Sequence, residues 1–342
     1  MAWVTWRQHR IALAGAVIGL GAFAVVLGVT GLRMQSAYSA LAHAGCSADS
    51  GNFNSRCGQL WGSYYHAGYP FTGNISWVAV ALAALPALIG MFSGAPLVAR
   101  EFESGTVTFA WTQVVSRGRW MAAKLGLLGA ALAAAGVAFG LLASWWLLLA
   151  DGTVSNSRWQ PQQFGLTAVT FPGWVVLLFA AGVLAGTMIR RTVPAMAATG
   201  VFGTALLWFT IEQFPRWLTG YGLLHARASL VPATFAAEVS PNAILVGGNA
   251  ASGPAGGWVV KTWFTRPHGQ IVSPDSNTLN PLWNLKPSAQ PAWLASHHLT
   301  LWVGYQSASR FWIFQAAECA VAVALAVVLG AAAVWLVRRR SA

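Results

Sequence analysis

Long apolar runs separated by polar breaks dominate the chain. Ile11–Leu32, Ile75–Val98, Leu125–Ala150, Pro172–Ile189, Thr192–Ile211 and Phe311–Val337 are each at least 18 residues long, and a single acidic residue, Glu318, interrupts them. At about 1.5 Å per residue such runs are long enough to cross a hydrocarbon core of about 30 Å as helices. The pattern therefore predicts an all-α polytopic membrane protein with six transmembrane helices. Pro86 is expected to kink the second span, where neighbouring helices can re-satisfy the freed carbonyl. Pro172 suits a helix start, where its missing N–H costs little. The polar breaks are 33–74, 99–124, 151–171, 190–191 and 212–310. The last carries most of the prolines and is not uniform. Phe214–Phe235 is apolar and broken by Gly and Pro, which predicts helices at the outer leaflet. Gly257–Phe264 and Leu299–Tyr305 are β-branched and aromatic, which predicts strands. A small mixed cap between spans five and six is expected.

Composition agrees with a membrane solvent. Only 8% of the 342 residues are charged, against about a quarter in soluble domains. The net charge of +12 does not point to nucleic acid, because the basic residues cluster at the ends of apolar runs. Eleven of the 20 Lys and Arg residues fall in four short regions, 1–10, 99–124, 190–191 and 338–342. By the positive-inside bias those regions face the cytoplasm, and both termini lie inside. Segments 33–74 and 212–310 are then extracytoplasmic. The first apolar run has 22 residues, longer than the core of a signal peptide, so it is expected to stay as a span. Cys46 and Cys57 share an outer loop and are expected to form a disulfide. Gly15/Gly19, Gly136/Gly140 and Gly182/Gly186 are Gly-x-x-x-Gly pairs of the kind that let membrane helices approach closely.

The cytoplasmic break between spans two and three is the chain's charged island. Arg100, Glu101, Glu103, Arg117, Arg119 and Lys124 bracket a β-branched and aromatic centre, Thr106–Val115, that holds Phe109 and Trp111. Arg100-Glu101, Gly105-Thr106, Ser116-Arg117 and Lys124 resemble the pattern that follows the second span in ABC-2-type permeases, the membrane subunits of ATP-binding-cassette exporters. The Trp6-Arg7-Gln8-His9-Arg10 and Thr112–Trp120 stretches are most similar to actinobacterial members. Val114-Val115 stands where many members have a proline. The resemblance implies that 99–124 forms a coupling helix docking on an ATP-binding subunit. Arg100, Glu101, Glu103, Gly105, Thr106, Phe109, Trp111, Arg117 and Arg119 would make that contact. It also implies a second permease copy or paralogue, with the substrate passing between the two halves. Spans two and five commonly line that path, which makes Phe92 and Trp208 candidates.

The chain has no Gly-x-x-x-x-Gly-Lys-Ser/Thr phosphate loop, so ATP and Mg would belong to the partner subunit and this chain would carry no cofactor or catalytic site. His297-His298, with His225 and His268 in the same segment, lack an accompanying carboxylate and read as solvated rather than metal-binding. Glu318, with Gln315 one turn earlier on the same face, is the intramembrane polar pair, and a carboxylate at that depth is costly. It reads either as a functional group or as a hydrogen bond between helices. The expected function is a permease in a bacterial plasma membrane, exporting a hydrophobic or amphipathic small molecule, lipid or peptide. A membrane sensor or immunity protein whose cap binds an antibiotic is the alternative.

Overall fold

The structure is a computed structural model. It describes residues 2–46, 55–69, 75–105, 117–150, 161–220, 222–227, 230–232, 244–246, 249–251, 258–273, 277–286 and 289–339. The helices are α1 (Ala2–His43), α2 (Ser55–Gly68), α3 (Ile75–Ala83), α4 (Leu85–Ile89), α5 (Pro96–Glu103), α6 (Arg117–Ala150) and α7 (Pro161–Phe164). They continue with α8 (Thr170–Ile189), α9 (Thr192–Gly220), α10 (Asn280–Trp283), α11 (Gln290–Ser296) and α12 (Phe311–Arg339). Among the described residues, five stretches are long and apolar enough to cross a membrane: Trp77–Glu103, Gly118–Leu149, Thr170–Ile189, Thr192–Gln213 and Ala308–Arg339. The expected first span, Ile11–Leu32, falls within α1, most of whose side chains before residue 21 lie outside the described residues.

α8 forms the centre of the bundle. Its small residues let the second membrane segment approach almost backbone to backbone. That segment is broken at Ala84, with Pro86 in the first turn of α4, and passes through a π-helical turn, Gly90–Gly94, before α5. Gly90 and Gly94 of the turn face Gly182 and Gly186 of α8. A Cβ on Gly182 would stand 2.3 Å from the Gly90 carbonyl oxygen, and one on Gly90 2.4 Å from that of Leu178. No side chain fits there, so the crossing requires glycine on both helices. Gly136 and Gly140 of α6 meet Pro172 and Thr167–Ala168 in the same manner, whereas Gly19 of α1 has open space around it.

Within the polar break 33–74, residues 33–43 and 55–68 are helical. α1 continues through it to His43, and α2 folds back on α1. Cys57, Leu60, Trp61, Tyr64 and Ala67 recur at helical spacing and pack on Met34, Ala37 and Leu41. The Cys46–Cys57 disulfide closes this hairpin. The Tyr64 hydroxyl donates to the Leu149 carbonyl, which pins α2 to the end of α6. Three residues earlier on α6, the Trp146 indole N–H donates to Thr30 Oγ1 of α1 at 2.9 Å.

Of Phe214–Phe235, expected to be helical, 214–220 is helix and two short strands follow it. α9 runs to Gly220, then β1 (Leu224–Arg227) and β2 (Leu230–Pro232) follow, as Gly222 in the left-handed region turns the backbone out of the helix. The remaining strands are β3 (Ile244–Val246), β4 (Asn249–Ala251), β5 (Trp258–Thr265), β6 (Ile271–Val272) and β7 (Thr300–Gln306). They make a four-stranded sheet in the order β1-β7-β5-β6 and a three-stranded sheet in the order β2-β4-β3, with antiparallel pairing throughout. Phe264, Leu301 and Val303 from the larger sheet pack on Leu279, Leu282 and Leu294 from the α10–α11 region. Arg310 donates to Gln306 Oε1 and to the Gly222 carbonyl, fastening this sheet to the start of α12.

Candidate functional site

Two groups of polar side chains stand out, one at an end of the bundle and one within it. At the end, Ser104 and Gly105 stop α5. Gly105 adopts φ +67°, its N–H donates to Phe102 O, and Ser104 N–H donates to Arg100 O. A left-handed glycine just past the last helical residue is a common helix stop, so Gly105 has a local role whatever binds nearby.

The two glutamates of the island are both engaged by residues of other helices. Lys124 Nζ of α6 lies 2.5 Å from Glu101 Oε1, with Lys124 only 4% exposed, and its ammonium also sits 4.2 Å from the centre of the Trp120 ring. Glu103 accepts from the Thr192 N–H at 3.0 Å and from the Thr192 hydroxyl. Thr192 opens α9, and the first N–H groups of a helix have no partner within it. Glu103 therefore caps α9 from another helix, where the helix dipole also favours negative charge. The Arg190 guanidinium stacks 5.1 Å over the Phe102 ring, and Gly118 lies against the Arg338 guanidinium. The ends of α5, α6, α8, α9 and α12 thus meet at one end of the bundle. Arg100 and Arg119 are exposed there. Thr106, Phe109 and Trp111, with the Arg117 side chain, lie outside the described residues, as does the whole middle of the expected coupling helix, 106–116.

Within the bundle, Gln315 and Glu318 have different surroundings. Gln315 is fully buried. Its side-chain N–H donates to Phe164 O at 2.8 Å, and its Oε1 accepts from the Thr167 hydroxyl. Thr170 donates to the same Phe164 carbonyl at 3.1 Å. This network fixes α12 to the turn between α7 and α8, which makes Gln315 a helix-to-helix tie. Glu318 accepts one hydrogen bond, from the Trp174 indole N–H of α8 at 2.6 Å. Its carboxylate borders two hollows. One is small, about 50 Å³, and reaches inward to Ala83, Pro86 and Phe171. The other, about 570 Å³, opens between α8, α9 and α12. Trp174, Leu206 and Thr210 line both.

The remaining candidates do not converge. Phe92 in the π turn and Trp208 on α9 both project from the bundle, 54% and 66% exposed. His297 stacks on Trp293 with ring centres 3.9 Å apart, and its Nδ1 lies 2.9 Å from the Trp293 carbonyl oxygen. Trp174, Thr167 and Thr210 were not singled out from the sequence. A tryptophan and two threonines in or beside apolar runs carry no signal until their partners on α12 are known.

The geometry is that of a multi-pass bundle with a tied polar end, and comparison with known proteins gives it a family. The model of the family described as ABC-2 membrane transporter related matches residues 17–214, and the chain belongs to that family. It is a multi-pass membrane protein and a transporter component of the ABC-2 permease kind, a kind that implies association with an ATP-binding subunit. The match runs from α1 to α9 and includes the charged island, while the β-sheets and α12 lie beyond it. No curated protein and no solved structure matches the chain.

Proposed function

We propose that this chain is the membrane-spanning permease subunit of an ATP-driven exporter in a bacterial plasma membrane. It works with a second copy or a paralogue and moves a hydrophobic or amphipathic substrate. ATP and Mg are bound and used by a separate subunit, and this chain supplies no cofactor and no catalysis. α1 is the first of six spans, both termini are cytoplasmic, and the β-sheets form an extracytoplasmic cap.

One observation carries the coupling part of this reading. The helix ends on either side of residues 104–117 are latched: α5 holds α6 through Glu101–Lys124 and α9 through Glu103–Thr192. A rigid-body displacement applied to the segment between them would reach three spans together. In this arrangement Phe109 and Trp111 are the docking knobs. Arg100, Arg117 and Arg119 form the basic rim that meets the ATP-binding subunit. Glu101 and Glu103 transmit the displacement from inside the chain. Gly105 and Thr106 begin the docking segment, and Phe92 and Trp208 face the path between the two halves.

Pull-down of a co-expressed ATP-binding chain, with its ATPase rate in nanodiscs, tests the proposal. The Phe109→Ala/Trp111→Ala double variant is expected to reduce complex formation by about tenfold or more, since buried aromatic anchors dominate such contacts. Because both positions lie outside the spans, insertion should be unaffected. Wild-type capture and wild-type ATPase stimulation by that variant would remove the docking role of 99–124.

A further inference from the structure

Glu318 is the one acidic residue inside the expected spans, and no Lys, Arg or His partners it among the described residues. The Trp174 indole N–H reaches a single carboxylate oxygen, a charge-assisted contact that leaves the second oxygen without a donor among the described residues. A carboxylate in such surroundings needs a counterion or must give up its charge. The chain provides room for a counterion. The hollow of about 570 Å³ is of small-molecule size, and its walls are apolar: Leu177, Leu206, Val321 and Leu325, with the aromatic side chains of Trp174 and Phe209. Thr210 and Gln213, both on the α9 wall, are its polar neighbours. An aromatic wall beside a carboxylate favours a cation whose charge is spread over an apolar body, through the ring faces as well as the ion pair.

We propose that the cleft between α8, α9 and α12 is a binding site for a lipophilic organic cation, with Glu318 as its counterion and Trp174 and Phe209 as its aromatic walls. The site lies within one chain, and neither Phe92 nor Trp208 lines it. Trp174 has a second task. By donating to one carboxylate oxygen it holds Glu318 at the mouth of the cleft, with the other oxygen available to the ligand. The smaller hollow behind it, reaching Pro86, gives the ligand's apolar body contact with the break in the second membrane segment. The proposal does not depend on coupling to ATP, and its test uses neither nucleotide nor an ATP-binding subunit.

Tetraphenylphosphonium and tetraphenylborate have nearly the same shape and opposite charge, which makes them the probes. Equilibrium binding of each is measured to the full chain in phosphatidylcholine nanodiscs, with empty nanodiscs subtracted. The cation is expected to bind saturably and the anion not to. Glu318→Gln should weaken cation binding by about tenfold or more, about 1.4 kcal/mol per tenfold. Leu325→Trp, which fills the cleft and leaves the carboxylate in place, should weaken it as well. A carboxyl that only tied α12 to α8 would bind both ions alike or neither. Equal saturable binding of the two probes, no saturable binding of the cation, or wild-type cation affinity in both variants would overturn the assignment. Should Glu318→Gln fail to fold, the comparison of the two ions on the unaltered chain and the Leu325→Trp variant still decide it.

Discussion

Glu101 and Glu318 are both acids on membrane helices, and they face opposite situations. Glu101 sits at a bundle end, where a buried lysine of the next helix meets it. Glu318 lies about 10 Å along α12 from its first residue, where one indole N–H meets it and a hollow lies alongside. In the first case the chain supplies both charges, and the pair acts as a fastening between helices. In the second it supplies one charge and a space. The number of acids is therefore less informative than where the opposite charge comes from. An acid paired within the fold is a structural latch, and an acid left beside a cavity is free to select a ligand.

The same substitution at the two positions should separate these roles most strongly. Glu101→Gln leaves the Lys124 ammonium, 4% exposed, facing a neutral amide. Removing one partner of a buried ion pair typically costs about 3 kcal/mol or more, because the remaining charge stays desolvated. Thermal unfolding of the purified chain should show a clear loss of stability, and Lys124→Met added to Glu101→Gln should recover part of it. An unchanged unfolding temperature in the single variant would mean that the pair is not closed in the membrane.

Glu318→Gln should change stability by no more than about 1 kcal/mol. Its amide oxygen can still accept from Trp174, and no buried cation is left behind. Its effect should appear in binding and transport. If Glu318→Gln destabilises the chain as much as Glu101→Gln does, the contrast between latch and ligand site fails. If Glu318→Gln transports normally while Glu318→Leu only unfolds, Glu318 is structural.

The parts of this fold visible in the sequence are those set by solvent. A helix in hydrocarbon must be long, apolar and free of charge, so Leu125–Ala150 and Thr192–Ile211 mark their own approximate limits. What depends on a partner was hidden. Gly182 and Gly186 form a visible pair, but Gly90 and Gly94 gain meaning only when the two backbones are seen crossing. The helical spacing of Cys57, Leu60, Trp61 and Tyr64 is present in the sequence, yet the surrounding Gly, Ser and Asn residues make the segment read as a loop. The family resemblance made Glu101 and Glu103 docking charges. Their carboxylates are engaged by residues 23 and 89 positions away, a separation at which sequence spacing carries no information. The Glu318 carboxylate was legible as costly, but the cleft beside it depends on how α8 and α9 flank α12.

The smallest expected effect tests the boundary between latch and docking surface, and it concerns Glu103. This residue is exposed, but it accepts two hydrogen bonds from Thr192 and so completes the first turn of α9 from across the bundle end. Glu103→Ala removes a cap and a favourable charge at the positive end of a helix dipole. Exposure means that water can replace both contacts, so global stability should fall less than in Glu101→Gln. Amide exchange in the first turn of α9 should rise, and ATPase stimulation by the permease should fall because α5 no longer moves with α9. Capture of the ATP-binding chain should stay at the wild-type level, since the carboxylate points to Thr192 rather than outward. The opposite pattern, lost capture with unchanged exchange at 192–195, would place Glu103 on the docking surface and make Glu101–Lys124 the one latch at this end.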